Sequence, residues 1–524
     1  MVRCASLILI TLGLVPGAWA SEAPSLPFTN PVIVGDYPDP SVIRVGKDYY
    51  ATATTSEWGP QFQILKSRDL THWKPVGVVF PHRPAWAVGN FWAPEIAEYQ
   101  GRFYVYYVAR TRGGPLAVAV ATASKPEGPY TDHGPLVAQD AGSIDPMPIV
   151  DENGERYLIW KEDGNSRRLP TILWAQRLTR DGLQLVGERS ALFHNDAPWE
   201  GAVVEGPFVL RRPDGFYLFY SGAGCCGLGC NYALGVARSK KILGPWEKAP
   251  TNPILAGNDD WRCPGHGSIV ADPAGRYFLL YHAYDAKSSV FTGREALLDE
   301  VTFGADGWPI IRGGRGPSPG RSSPQHAALR NEATTFFDGF SRKALTPGWQ
   351  WPQDNEPILE FRSAKGGTLI LRPTREHAEE LAGGVIGRST TMSDYMAEAV
   401  IDTTQCGKGS AVGLAAFGDA ANAIGLARVD NKLRLWLTNK GQSTTLKEVD
   451  APAGPQLYVR LSARNGKEFR FAFSTNGRDW TDVGNDQQGT HLPPWDRAVR
   501  IALTVGGRID AQGAFDSFRI RPGS

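Results

Sequence analysis

From residue 39 the chain repeats one hydrophobic pattern. A polar residue is followed by a small residue or proline, an apolar strand, a turn and an aromatic-rich strand. DPSVIRVGKDYYATATT from Asp39, EIAEYQGRFYVYYVAR from Glu95, DPMPIVDENGERYLIWKE from Asp145, EGPFVLRRPDGFYLFYSG from Glu205 and HGSIVADPAGRYFLLYHAY from His266 all obey it. A second element follows each, such as FQILKSRDLTHWKPVG after the first and YALGVARSKKILGPWEKA after the fourth. Each unit predicts about four short strands, and repetition of such units is the signature of a β-propeller. Five units predict five blades over residues 27–311.

The pattern then changes twice. Residues 312–331, beginning RGGRGPSPGRSS, are rich in Gly, Pro, Ser and Arg without apolar periodicity, which reads as a linker. From 332 to 524, stretches such as GGTLILRP, SAVGLAAFGD and AFDSFRIRP alternate apolar and polar residues between turns, as an antiparallel β-sandwich does. The fold class is all-β. At the other end, Arg3, the apolar run Leu7–Val15 and Ala18-Trp19-Ala20 read as a signal peptide over 1–20, so the mature chain is expected secreted or periplasmic. No later stretch has the ~18 uninterrupted apolar residues of a membrane span.

Charge narrows the partner. Lys plus Arg number 55 against 54 Asp plus Glu, so no field gathers nucleic acid or an anionic membrane. The abundant Trp, Tyr and Phe suit a neutral ligand that stacks on rings. Of six cysteines, Cys4 leaves with the signal peptide, and five in an oxidising compartment leave at least one unpaired, Cys406 being the isolated one. Cys225, Cys226 and Cys230 fall in a loop on the same face as Cys263, so a bridge from blade four to blade five is expected; zinc is the competing reading.

Propeller geometry gives the repeat a chemical meaning. The first strand of each blade lines the channel, so Asp39, Glu95, Asp145, Glu205 and His266 converge on one face. Carboxylates gathered at an axis repel one another and lose hydration, which points to chemistry rather than packing. Asp39 is held between Pro38 and Pro40, each of which restricts the backbone; the bland alternative is a turn ahead of a strand. Glycosidic cleavage needs one protonated carboxyl to release the leaving oxygen and one ionised carboxylate opposite it. Asp39 fits the base. Glu205, between Val203-Val204 and Gly206-Pro207, fits an acid whose pKa burial raises, with Asp145 as the third acid whose charge keeps Glu205 protonated. Glu200 in PWEG is a rival acid, Glu95 reads as a brace, and His266 reads as a core histidine or as the holder of a water or cation. Trp58, Trp92 and Phe291 are candidate walls against a sugar face, and Arg294 a candidate donor to a ring hydroxyl, each set against ordinary blade packing.

Tyr-Pro-Asp39-Pro-Ser, Trp92-Ala-Pro, Ile-Asp145-Pro, Glu205-Gly-Pro, Gly265-His266-Gly and Gly293-Arg294, in this order, are similar to the motifs of glycoside hydrolase family 43. The sandwich resembles the concanavalin-like C-terminal domain of that family's β-xylosidases and α-L-arabinofuranosidases. The resemblance implies an inverting enzyme that removes terminal arabinofuranosyl or xylosyl residues from neutral plant polysaccharides, with Asp39 as general base, Glu205 as general acid and Asp145 as pKa modulator. It implies no cofactor for the chemistry, and a Ca²⁺ or Na⁺ ion in the channel beside His266, held directly or through water. An endo-acting arabinanase is the alternative enzyme, and a non-catalytic sugar-binding propeller the alternative class.

Overall fold

The computed structural model describes residues 28–288, 290–319, 335–363 and 366–523. The signal peptide expected at 1–20 and the linker from residue 320 onward lie outside the described residues. Five four-stranded antiparallel sheets form the five expected blades, each running from the axis outward in chain order. Their inner strands begin at Ser41, Trp92, Ser143, Val204 and Trp261. The second strand of blade two, Arg102–Arg110, is buried at every position but its ends, which explains why RFYVYYVAR is a continuous apolar run instead of an alternating one. The outer strand Thr131–Val137 carries alternating exposure, with one face open to water. The ring closes through its own beginning: Asn30–Ile33 lies along Glu295–Phe303 of blade five, with the Val32 N–H and the Asn30 amide bonding to the carbonyls of Ala296 and Leu298.

The five inner strands share a kink that shifts the register expected from sequence. Asp39, Ala93, Asp145, Gly206 and His266 all adopt left-handed backbone, with φ of 52°, 41°, 58°, 59° and 41°. Glu95 therefore lies two residues after this position and Glu205 one before it, so the equivalent residues are not the five polar ones predicted. Four of the kink residues are not glycine, and each costs roughly 1 kcal/mol or more, a strain that concentrates at functional sites. Glycine is required at the fifth, because a β-carbon on Gly206 would sit 2.9 Å from the ring of His266. Four of the kink amides are taken by a side chain of the preceding blade: Ala93 by Thr54 Oγ1 (2.7 Å), Gly206 by Asp145 Oδ2 (2.8 Å), His266 by Ser221 Oγ (2.9 Å) and Asp39 by His282 Nδ1 (3.0 Å). Blade-to-blade hydrogen bonds thus set the axial face on which the acids stand.

The second domain is a sandwich of a nine-stranded and a six-stranded antiparallel sheet. Tyr395–Asp402 alternates buried and half-buried positions, which directs Tyr395, Ala397, Ala399 and Ile401 into the core. Residues 312–319, expected as linker, are instead fastened to blade five: Trp261 Nε1 donates to the Ser318 carbonyl (2.8 Å) and Asn258 to that of Pro317 (2.9 Å). The sandwich docks directly on the propeller. Trp351–Pro352 pairs with Trp58–Gly59, and the buried Arg500 contacts the buried Asp36 at 3.0 Å.

Candidate active site

A cavity of about 460 Å³ opens at the axial face, and Asp39, Asp145, Glu205 and His266 all line it. Asp39 stands among donors and cations. Thr54 Oγ1 donates to its Oδ2 (2.6 Å), Arg294 Nη1 to its Oδ1 (3.1 Å), and the Nδ1 atoms of His282 and His266 lie 3.2 and 3.5 Å from the same oxygen. Burial pushes the Asp39 pKa up, but Arg294, then His266, outweigh it and hold the carboxyl well below the usual range. His282 is fully buried, and burial with the nearby Arg294 pushes its pKa down to about 4, so it is neutral. Its ring stacks on Tyr232 at 5.7 Å with 2° between planes. Arg294 lines the cavity, with Nη1 on Asp39 and its other arm donating to the Asp496 carbonyl (3.0 Å), which leaves further guanidinium N–H groups for a ligand hydroxyl.

The opposite flank is built differently. Lys161, almost wholly buried on the second strand of blade three, places Nζ 2.7 Å from Glu205 Oε2 and 2.9 Å from Asp163. Tyr232 donates to Glu205 Oε1 at 2.9 Å. Burial raises the Glu205 pKa, but Lys161 and Tyr232 bring it below the ordinary range. Asp145 moves the other way. Burial and the Glu205 charge lift it to about 6, against the pull of His266 and Lys161. The apolar neighbours of Glu205 therefore do not decide its ionisation. Lys161 does, and Asp145 is the acid of the pair that keeps a proton up to about pH 6.

The walls come from both domains. Trp92 lines the cavity, as expected, and its indole N–H donates to Asp496 Oδ2 at 3.2 Å. Trp495 and Asp496 belong to the sandwich yet line the same cavity, with Trp495 edge-on to Trp92 at 5.8 Å and Asp496 also accepting from Ser56 (3.0 Å). Nothing in the local pattern of the sequence singled out this pair. Trp58 and Phe291 are corrections: Trp58 is buried between the domains against Phe417 (5.9 Å) and under Arg500, and Phe291 is buried in the core cluster it shares with the sandwich. Their aromatic surface joins the domains and does not face the cavity. Glu200 is also excluded as the acid, since it is fully buried and held by Tyr220 (2.7 Å) and Lys248 (2.7 Å). Glu95 does not line the cavity, and burial lifts it to about 8.

The expected bridge between blades four and five is Cys230–Cys263, with Cα atoms 6.0 Å apart. Cys225 and Cys226 are bonded to each other and Cys406 is free, so the paired cysteines leave no thiolates for zinc. Among the described residues no group of three or more His, Cys, Asp or Glu is arranged to hold an ion directly, and a cation held beside His266 through water needs no such group. His266 faces the carboxylate of Asp39.

Comparison with known proteins agrees with this architecture. The family model for glycosyl hydrolases family 43 matches residues 28–309, and that for the beta xylosidase C-terminal concanavalin A-like domain matches 337–494. Xylosidase/arabinosidase 43B of Humicola insolens is 28% identical, over 94% of this chain and 97% of its own. The non-reducing end alpha-L-arabinofuranosidase BoGH43B of Bacteroides ovatus is 27% identical over 88% of each chain. The crystal structure of the GH43 protein BlXynB of Bacillus licheniformis shares the fold, with a TM-score of 0.77 at 24% identity over 94% of this chain and 99% of its own. Enzymes of this kind need no cofactor for catalysis. The chain belongs to glycosyl hydrolase family 43 and is a glycosyl hydrolase.

Proposed function

We propose that the chain is an exported, inverting exo-glycosidase that releases terminal α-L-arabinofuranosyl or β-D-xylosyl residues from neutral plant cell-wall oligo- and polysaccharides. The observation that carries the reading is the contrast in protonation across one cavity, an Asp39 held ionised by Arg294 and a buried Asp145/Glu205 pair that keeps a proton up to about pH 6. The terminal sugar enters the cavity with its anomeric carbon between the two flanks. Asp39 takes a proton from water, which attacks the anomeric carbon while Glu205 protonates the departing oxygen. A glycosidic oxygen only accepts hydrogen bonds, so its arrival beside Glu205 favours the tautomer of the pair with the proton on Glu205. Lys161 and Tyr232 fix the Glu205 carboxyl in place.

The inverting course rests on the resemblance of the three acidic motifs to the family, and the pentose class on the printed names of the relatives. Exo action is supported by Trp495 and Asp496, which bring the sandwich against one side of the cavity. Export rests on the signal-like residues 1–20. The test is proton NMR of the first sugar released from nitrophenyl β-xyloside and α-arabinofuranoside. Inversion gives the α-anomer of xylose or the β-anomer of arabinofuranose before mutarotation. A retained anomer overturns the proposal, and a ladder of oligomers from linear arabinan overturns the exo reading.

A further inference from the structure

We propose that the Cys225–Cys226 disulfide is a specificity-determining platform for the group leaving the cavity, one that takes a ring with an apolar face, such as the next sugar of the chain. The assignment rests on Glu205 as the acid, because the leaving oxygen must lie at its carboxyl. Cys225 and Cys226 both line the cavity, together with Val203, Ala223 and Gly224, all of them flanking or following the blade-four strands that carry Glu205. A bonded pair of sulfurs has no S–H donor and presents a polarizable, apolar surface, which suits the C–H face of a sugar better than its hydroxyl edge. The ring closed by two adjacent residues also freezes both side chains before ligand arrives, so little rotamer freedom remains to be lost on binding.

The loop is built to hold that surface still. Asn231 accepts from the Gly224 amide (2.8 Å) and donates to its carbonyl (3.0 Å), Gly227 donates to Tyr284 Oη (3.2 Å), and Cys230 is bonded to Cys263 of blade five. Its tip meets the sandwich: a β-carbon on Gly227 would lie 3.6 Å from the Trp495 carbonyl oxygen. Leu228 and Trp495, 71% and 61% exposed, are the two most exposed large hydrophobic residues among those described; Trp495 lines the cavity, and Leu228 follows Gly227 in the loop that meets it. The flank that receives the terminal sugar is lined by Asp39, His266 and Arg294 instead. On the Glu205 side the lining is divided: Lys161, Asp163, Asn165 and Ser166 of blade three supply polar groups, while Val203, Ala223, the Cys225–Cys226 pair and Trp495 supply the apolar surface.

The test compares a disaccharide with the glycosyl fluoride of the same terminal sugar, whose single leaving atom is too small to reach the platform. The variant is Cys225→Ala/Cys226→Ala, doubled so that no free thiol attacks Cys230–Cys263. Peptide mapping checks that this second disulfide is retained. The ratio of kcat/KM for disaccharide to kcat/KM for fluoride should fall about tenfold, mainly through KM, the size of one lost apolar contact in a pocket. Leu228→Ser, at an exposed position that does not threaten the fold, should move the ratio in the same direction. A ratio unchanged in both variants overturns the proposal, as does an equal loss on both substrates in Leu228→Ser. A parent protein inert toward both substrates overturns the hydrolase mechanism itself, and this assignment with it.

Discussion

Two flanks of one cavity present carboxylates in opposite electrical settings. On the flank formed by blades five and one, Asp39 is touched by Arg294, His266, His282 and the Thr54 hydroxyl. On the flank formed by blades three and four, Glu205 is touched by Lys161 and Tyr232, and the buried Asp145, which accepts from the Gly206 amide, feels the Glu205 charge. Both carboxyls sit beside a fixed cation, so a cation alone does not separate a base from an acid. The second carboxyl does. Two buried acids that share one lysine cannot both give up their protons easily, and the pair carries into the physiological range a proton that Asp39 has lost.

Removing either reacting group should have the largest effect. Glu205→Gln and Asp39→Asn are each expected to lower kcat on natural oligosaccharide by about 10²–10⁴, measured by reducing-sugar release. Arg294→Met keeps the length of the side chain and deletes the charge that holds Asp39 ionised. Its Asp39 pKa rises, so activity should be lost at higher pH on the acid side of the profile, with kcat down by about 10² from misplacement of Asp39. The other flank should respond along the alkaline limb of kcat/KM, which in the parent falls above about pH 6 as the pair loses its proton. Asp145→Asn leaves Glu205 alone with Lys161 and should move that limb to lower pH. Lys161→Met removes the stabilising cation and should move it to higher pH. Equal or same-direction shifts in these two variants would show that the flanks are not tuned as described.

The five blades were legible because each repeats a local signal, a polar residue, a small residue or proline and then an apolar strand, that strand geometry alone interprets. Asp39 and Asp145 fall at the kink although each precedes a proline, which favours extended backbone; aspartate is among the residues that tolerate the left-handed region. The offset of Glu95 and Glu205 from that kink was not legible, because a bulge is set by pairing across strands. The same limit hid the partners. Lys161 reaches Glu205 across a blade boundary, Arg294 meets Asp39 only where the ring closes, and Asp496 arrives from another domain. Trp58 was misread for a related reason: an aromatic in a loop on the active face looks like a sugar platform until Phe417 and Arg500 cover it.

The division of labour between the flanks is tested most directly by leaving-group dependence in the two acid variants. Rates are compared on a dinitrophenyl glycoside, whose leaving group needs no proton, and on a disaccharide, whose leaving group does. Glu205→Gln should retain most of the parent rate on the dinitrophenyl substrate and lose about 10² or more on the disaccharide, while Asp39→Asn should lose heavily on both. Equal losses of Glu205→Gln on the two substrates, or rescue of Asp39→Asn by the better leaving group, would contradict the assignment of acid and base.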